Sequence, residues 1–241
     1  MDGPTIATMV AAGIAAAAAL LSAWYAQRSE RARHASAAED LASRFREPLL
    51  QSAFNLQTRI YNIVRMNFFA KFAGDAARPS DRSYTLDNTL YLIGQYLCWV
   101  EILRRESQFL DPRSQARERA VADQLERVRD ALASSTVGGP ELRIFRGQQR
   151  AIGEMLLIPA AGSAPGWPKW DCMGYAQFVE QQGLERVARW FAPLRLDLEQ
   201  LSGDPSPARA RLTMVQHELL RLVELLDPEA SRTSGRLRER L

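Results

Sequence analysis

Histidine is nearly absent from this chain. His34 and His217 are the only two, which leaves little material for general-base, triad or imidazole-metal chemistry. His217-Glu218 opens like a zinc-protease helix, but the fifth residue of that stretch is Arg221 where a second histidine is needed. At helical spacing His217 lies opposite the apolar stripe and reads as solvated. Cysteine is equally scarce: Cys98 and Cys172 make neither a CxxC pair nor a ligand cluster, and read as two unpaired thiols in a reducing compartment. Missing too are Gly-x-Ser-x-Gly, Gly-x-Gly-x-x-Gly and an Asp-rich calcium loop. Gly162 to Lys169 carries glycines at 162 and 166 only, without the Gly-Lys-Ser/Thr that a phosphate loop requires. No metal, no cofactor and no enzymatic activity is therefore expected. The enzyme reading would need Glu101 and Glu154 to act as a carboxylate pair, two isolated acids on separate predicted helices.

Charge of one sign is also lacking. The 31 cationic side chains, nearly all arginine because only Lys71 and Lys169 are lysine, are interleaved with 28 acidic ones, leaving a net charge of +3. Such interleaving gives no basic face, so nucleic acid is not an expected partner. A hydrophobic content of 46 % is ample for a packed core.

What is present is one long uncharged run, Thr5 to Tyr25. At 1.5 Å per residue its 21 residues match a hydrocarbon core roughly 30 Å thick. Trp24 and Tyr25 close it at headgroup level, and Arg28, Arg31 and Arg33 follow, so the positive-inside rule places the N-terminus outside and the domain in the cytoplasm. A cleaved signal peptide would need a basic start, and residues 1–4 read Met-Asp-Gly-Pro. The expectation is a single-pass anchor over 1–26 in a bacterial inner membrane, with the lipid bilayer as partner. Alanines four apart (Ala7, Ala11, Ala15, Ala19, Ala23) also permit helix self-association, hence a homo-oligomer.

No useful period-2 alternation appears, so the class is all-α: the anchor, a helical stalk over 27–44, an antiparallel helical bundle over 45–228 and a disordered basic tail over 229–241. Helical spacing runs from Phe45 to about Phe72, and Gly74 to Tyr84 reads as a loop. A central helix follows from Leu86 to Leu110, and Asp111-Pro112 caps another to Ala133. Leu142 to Phe145 reads as extended, Gly147 to Ile158 as helical and Pro159 to Trp170 as a loop. Asp171 caps a helix to Gln182, and two further helices span Leu184 to Leu201 and Asp204 to Asp227.

Candidate binding residues stand out only by misplacement. Arg104 falls on the apolar line of Leu86, Leu97 and Val100, where a charge needs a partner, and Glu101 is the local one. Arg146, Arg150 and Glu154 align at spacings of four. Two readings fit this set with Arg105: an interhelical ion-pair network that fixes register, or an arginine-lined pocket for a small anion. Trp167 and Trp170 either cover core or form a docking patch for an unknown protein partner. The expected function is a membrane-anchored interaction or scaffold protein, a subunit of a membrane complex; the alternative is a small-anion-sensing domain.

Overall fold

The computed structural model describes residues 22, 24, 25, 27 and 28, then 45–106, 115–162, 169–204, 206–233 and 238–241. The chain divides into two compact units, Met1–Ser43 and Arg44–Leu241. In the first, the described residues are helical. The Trp24 and Tyr25 rings meet edge to face, 5.1 Å between centroids, and the Arg28 guanidinium lies 5.2 Å from the Trp24 ring. Among the described residues no helix is long and apolar enough to cross a membrane. Most of the Thr5 to Tyr25 run, Arg31, Arg33 and nearly all of the proposed stalk lie outside them.

The second unit is an all-α bundle with one small hairpin. Its first helix, α1 (45–65), buries Phe45, Leu49, Ala53, Leu56, Ile60 and Ile63, a face repeating every three or four residues. Burying each large side chain is worth about 1.5–3 kcal/mol. The apolar spacing continues to Phe72, but the helix does not: Asn67 adopts φ 52°, a left-handed conformation, and separates the short α2 (Phe68–Phe72). The next helix, α3 (Pro79–Glu106), begins inside the segment that reads as a loop. Pro79 suits a first helical position, where its missing N–H costs nothing, and Asp81 lies in the first turn, where acid complements the helix dipole.

Helix α3 is the hub. It packs on α2, α5 (Arg146–Met155), α6 (Tyr175–Gln181), α7 (Glu185–Leu201) and strand β2 (Trp170–Cys172). Its contact with α5 is as extensive as that between α4 (Gln115–Ala133) and α8 (Ser206–Leu226). Two glycines bring α3 close to its neighbours. A β-carbon on Gly94 would lie 3.1 Å from side-chain atoms of Leu156 and Phe191, and one on Gly153 of α5 would lie 2.6 Å from the Leu97 carbonyl oxygen.

Two local expectations change. Asp171 does not cap a helix: β2 pairs antiparallel with β1 (Leu157–Pro159), Leu157 opposite Cys172 and Pro159 opposite Trp170, and α6 starts only after Gly174. Leu142 to Phe145 pairs with no strand among the described residues; Leu142 sits at φ 54° and its N–H donates to Asp197 Oδ2.

The region 229–241 is not a free tail in its described parts, because its basic residues have acidic partners: Arg232 on Glu47 of α1, Arg238 on Asp227 just past α8, and Arg240 on Glu224 of α8. Asp227 accepts the backbone N–H groups of Ser231, Arg232 and Thr233 and the Arg238 guanidinium at 2.6 Å. Arg240 pairs with Glu224, and the Tyr61 hydroxyl of α1 donates to Glu239 at 2.8 Å. His217 is half-buried instead of solvated, its Nε2 2.9 Å from the Leu241 carbonyl oxygen.

Candidate functional site

The aligned charges of α3 and α5 do come together, with the burial reversed. Counting by fours from Ile93 reaches Leu97 and then Glu101, so the core line of α3 ends on the acid. Glu101 is 4 % exposed while Arg104 is 44 % exposed. Arg104 donates through Nε and Nη2 to the two Glu101 oxygens, both at 2.7 Å. Arg105 adds its Nε to Glu101 at 2.6 Å and reaches across to Glu154 of α5 at 3.1 Å. Arg150 closes the chain onto the same Glu154 oxygen at 3.2 Å. The Arg105 guanidinium also lies 5.4 Å from the Trp170 ring, which ties the hairpin to the network. Burial pushes the Glu101 carboxyl up, but the hydrogen bonds from Arg104 and Arg105 outweigh it and hold the group below its ordinary value. The Arg104 guanidinium is raised by the same hydrogen bonds.

Arg146 belongs elsewhere. It reaches α4, donating to Glu126 at 2.6 Å and Asp130 at 2.5 Å on an exposed face. That pairing depresses Glu126 and raises Arg146. The six-residue set thus splits into an α3–α5 chain of five and an α4–α5 clamp, and every arginine of it has an acidic partner. Trp170 is half-buried in β2; Trp167 lies outside the described residues.

Two buried arginines carry more weight than spacing suggested. Arg211 of α8, 1 % exposed, donates to the carbonyls of Glu141, Ser134 and Gly139 and so organises the α4–α5 connection. Burial, with Arg143 nearby, lowers its proton affinity against the pull of Glu141 and Asp197. Asp197 is in turn raised by burial, in part offset by the Leu142 N–H. Arg59 of α1 is likewise buried, over the Phe68 ring at 4.4 Å. Both were legible by the spacing that singled out Arg104: Arg211 lies four before Val215, and Arg59 lies between Leu56 and Ile63 on one face. Between these arginines a cavity of about 30 Å³ is lined by apolar groups that include Leu56, Ile60, Ile63, Leu212 and Val215.

The two cysteines, distant in sequence, meet where β2 packs on α3: the Cys98 thiol is raised by its hydrogen bond with Cys172 and by burial. Beside them the Tyr91 hydroxyl donates to the Met173 carbonyl at 3.1 Å, and burial pushes this phenol up to about 12. Among the described residues no group of three or more His, Cys, Asp or Glu side chains could hold a metal ion.

No protein-family model matches the chain, and no curated protein or solved structure is significantly similar to it.

Proposed function

We propose that this chain is a single-pass membrane-anchored helical interaction or scaffold protein, its bundle in the cytoplasm and its N-terminus outside, acting as a homo-oligomer or as a subunit of a membrane complex. The anchor half of this reading is supported by the uncharged Thr5 to Tyr25 run and the aromatic and arginine residues that follow it.

The scaffold half is carried by the Glu101 network. Charges that are candidates for an anion pocket are spent on one another, Glu101 on Arg104 and Arg105, and Glu154 on Arg105 and Arg150. An anion entering there would have to displace a carboxylate already seated, which favours a register-fixing role for the set. Recognition then falls to the outer surface, where Phe72, Phe145 and Leu196 are exposed large apolar side chains of the kind that anchor interfaces.

The test is in-cell crosslinking of the tagged full-length protein, membrane extraction and mass spectrometry of what copurifies. A reproducible partner or self-crosslinked oligomer in the membrane fraction, lost when Phe72 and Leu196 are replaced by glutamate, is the expected result. Recovery of uncrosslinked monomer alone, or in the soluble fraction, overturns the reading.

A further inference from the structure

We propose that Arg59 anchors a binding site for a small oxyanion, a carboxylate or phosphate group, where α1, α2, α3 and α6 meet, with Tyr84 as its outer wall. This is a different place from the Glu101 network and does not depend on the scaffold reading.

Arg59 is a buried charge, 9 % exposed, without a counter-ion: among the described residues no carboxylate forms an ion pair with it. A guanidinium stays protonated in proteins, so its burial removes hydration that something must replace. Here the replacement is partial. One nitrogen, Nη2, donates to Asn88 Oδ1 at 2.5 Å, and the guanidinium carbon lies 4.4 Å from the Phe68 ring and 6.0 Å from the Tyr84 ring. The other terminal nitrogen, Nη1, is buried without a hydrogen-bond partner among the described residues. Arg211, buried more deeply still, shows the contrast, because all three of its guanidinium nitrogens are satisfied by carbonyls.

The neighbours of Arg59 are neutral donors. Tyr84 is hydrogen-bonded to the guanidinium, Tyr175 lies close enough to act on it electrostatically, and the two rings meet edge to face at 6.4 Å. Asn88 spends its oxygen on Arg59 and so keeps its amide N–H groups for another acceptor. The acid next in sequence, Asp87, is taken by Arg195, which also holds Gln182. The unsatisfied Nη1 group with its two N–H donors, two phenols and an amide form a donor set that suits an oxyanion and repels a cation. Tyr84 is half exposed while Tyr175 is held further in against Tyr91 at 5.3 Å, so Tyr84 is the side chain that can turn outward to admit a ligand.

The experiment is thermal melting of the full-length protein in sodium phosphate or sodium acetate, with sodium chloride adjusted to constant ionic strength. At ten times the dissociation constant, a ligand of the folded state should raise Tm by about 3–6 °C. The rise should vanish in Arg59→Gln. Tyr84→Phe, which keeps the ring at an exposed position and removes one donor, should need several-fold more anion for the same rise, so the site is tested even if the Arg59 variant fails to fold. A larger response to phosphate than to acetate identifies a phosphate ligand, and the reverse a carboxylate. A short-chain phosphatidic acid acting at lower concentration than inorganic phosphate assigns the phosphate to a lipid headgroup, and equal potency assigns it to a free ion. No rise in the wild type with either anion, or rises of equal size in all three proteins, overturns the proposal.

Discussion

Gly153 of α5 rests on the backbone of Leu97 in α3 so closely that a methyl group in place of its hydrogen would lie 2.6 Å from the Leu97 oxygen and 2.9 Å from its carbonyl carbon. Backbone atoms in the middle of a helix cannot turn aside as a side-chain tip can. This contact sets how near the two helices come, and it lies one residue from Glu154, which Arg105 reaches across the same interface.

Gly153→Ala should therefore destabilise the bundle by about 2–3 kcal/mol through forced separation of α3 and α5, despite alanine's better helix propensity. Urea unfolding measures it. Gly147, at the start of the same helix and with open space around it, is the internal control: alanine there should be neutral or stabilising. Equal effects at the two positions would show that the close approach is not what holds α5 in place.

Arg211→Met keeps the bulk of the side chain and removes its donors. Three carbonyls, of Ser134, Gly139 and Glu141, then lose their partner. A loss of about 2–4 kcal/mol is expected. The damage should be local, with amide hydrogen exchange rising first between residues 134 and 144, where Ile144 donates back to the Leu132 carbonyl. Uniform exchange across α4 and α8 would mean that Arg211 acts by packing alone.

Acid should weaken the fold through two carboxylates. Asp227 is pushed up by burial, but its hydrogen bonds from Arg232, Thr233 and Ser231 prevail and bring it to about 2. Glu101 is held low by Arg104 and Arg105 against its own burial. A folded-state value below the unfolded one stabilises above the unfolded value, near 4 for either acid, and the contribution is lost as pH falls through the folded value. Stability should thus be flat from pH 7 to about 5 and fall between about pH 4 and 2. Asp227→Asn and Glu101→Gln should be less stable than the parent at pH 6, and the deficits should narrow on acidification. Denaturant titrations at pH 6 and pH 2.5 check this, and a deficit that stays constant would assign the loss to something other than ionisation.

How much of this was legible in the sequence depends on what each residue asks of its neighbours. The all-helical class and the hub role expected for α3 follow from apolar spacing alone, a property of single segments. The α3–α5 partnership of Arg105 and Glu154 was also within reach, since charges on apolar faces require partners. The spacing put Arg104 in the core where Glu101 lies, because a helix line advances by three or four and the choice at Val100 decided which residue it met next. Asn67 hid the break between α1 and α2, since asparagine enters the left-handed region without an apolar signal. Arg59 and Arg211 fell on buried stripes and were passed over among neighbours that all read as core. The small hairpin gave no periodicity because three residues per strand are too few to show any.

The hydrogen bond between Tyr61 and Glu239 spans 178 positions, and this has a meaning for the order in which the molecule is made. Helix α1 is synthesised first in its unit, yet four of the residues lining the cavity beside it, Leu132, Leu198, Leu212 and Val215, come much later than Thr89 and Ile93 of α3, which line it too. At the usual ~5–20 residues per second, the interval between Tyr61 and Glu239 is roughly 10–35 s. For that time the part of the α1 face that the later helices cover is left open. The nascent chain should be a client of the cell's holding chaperones, and a ribosome stalled before α8 should carry α1 in a protease-sensitive state.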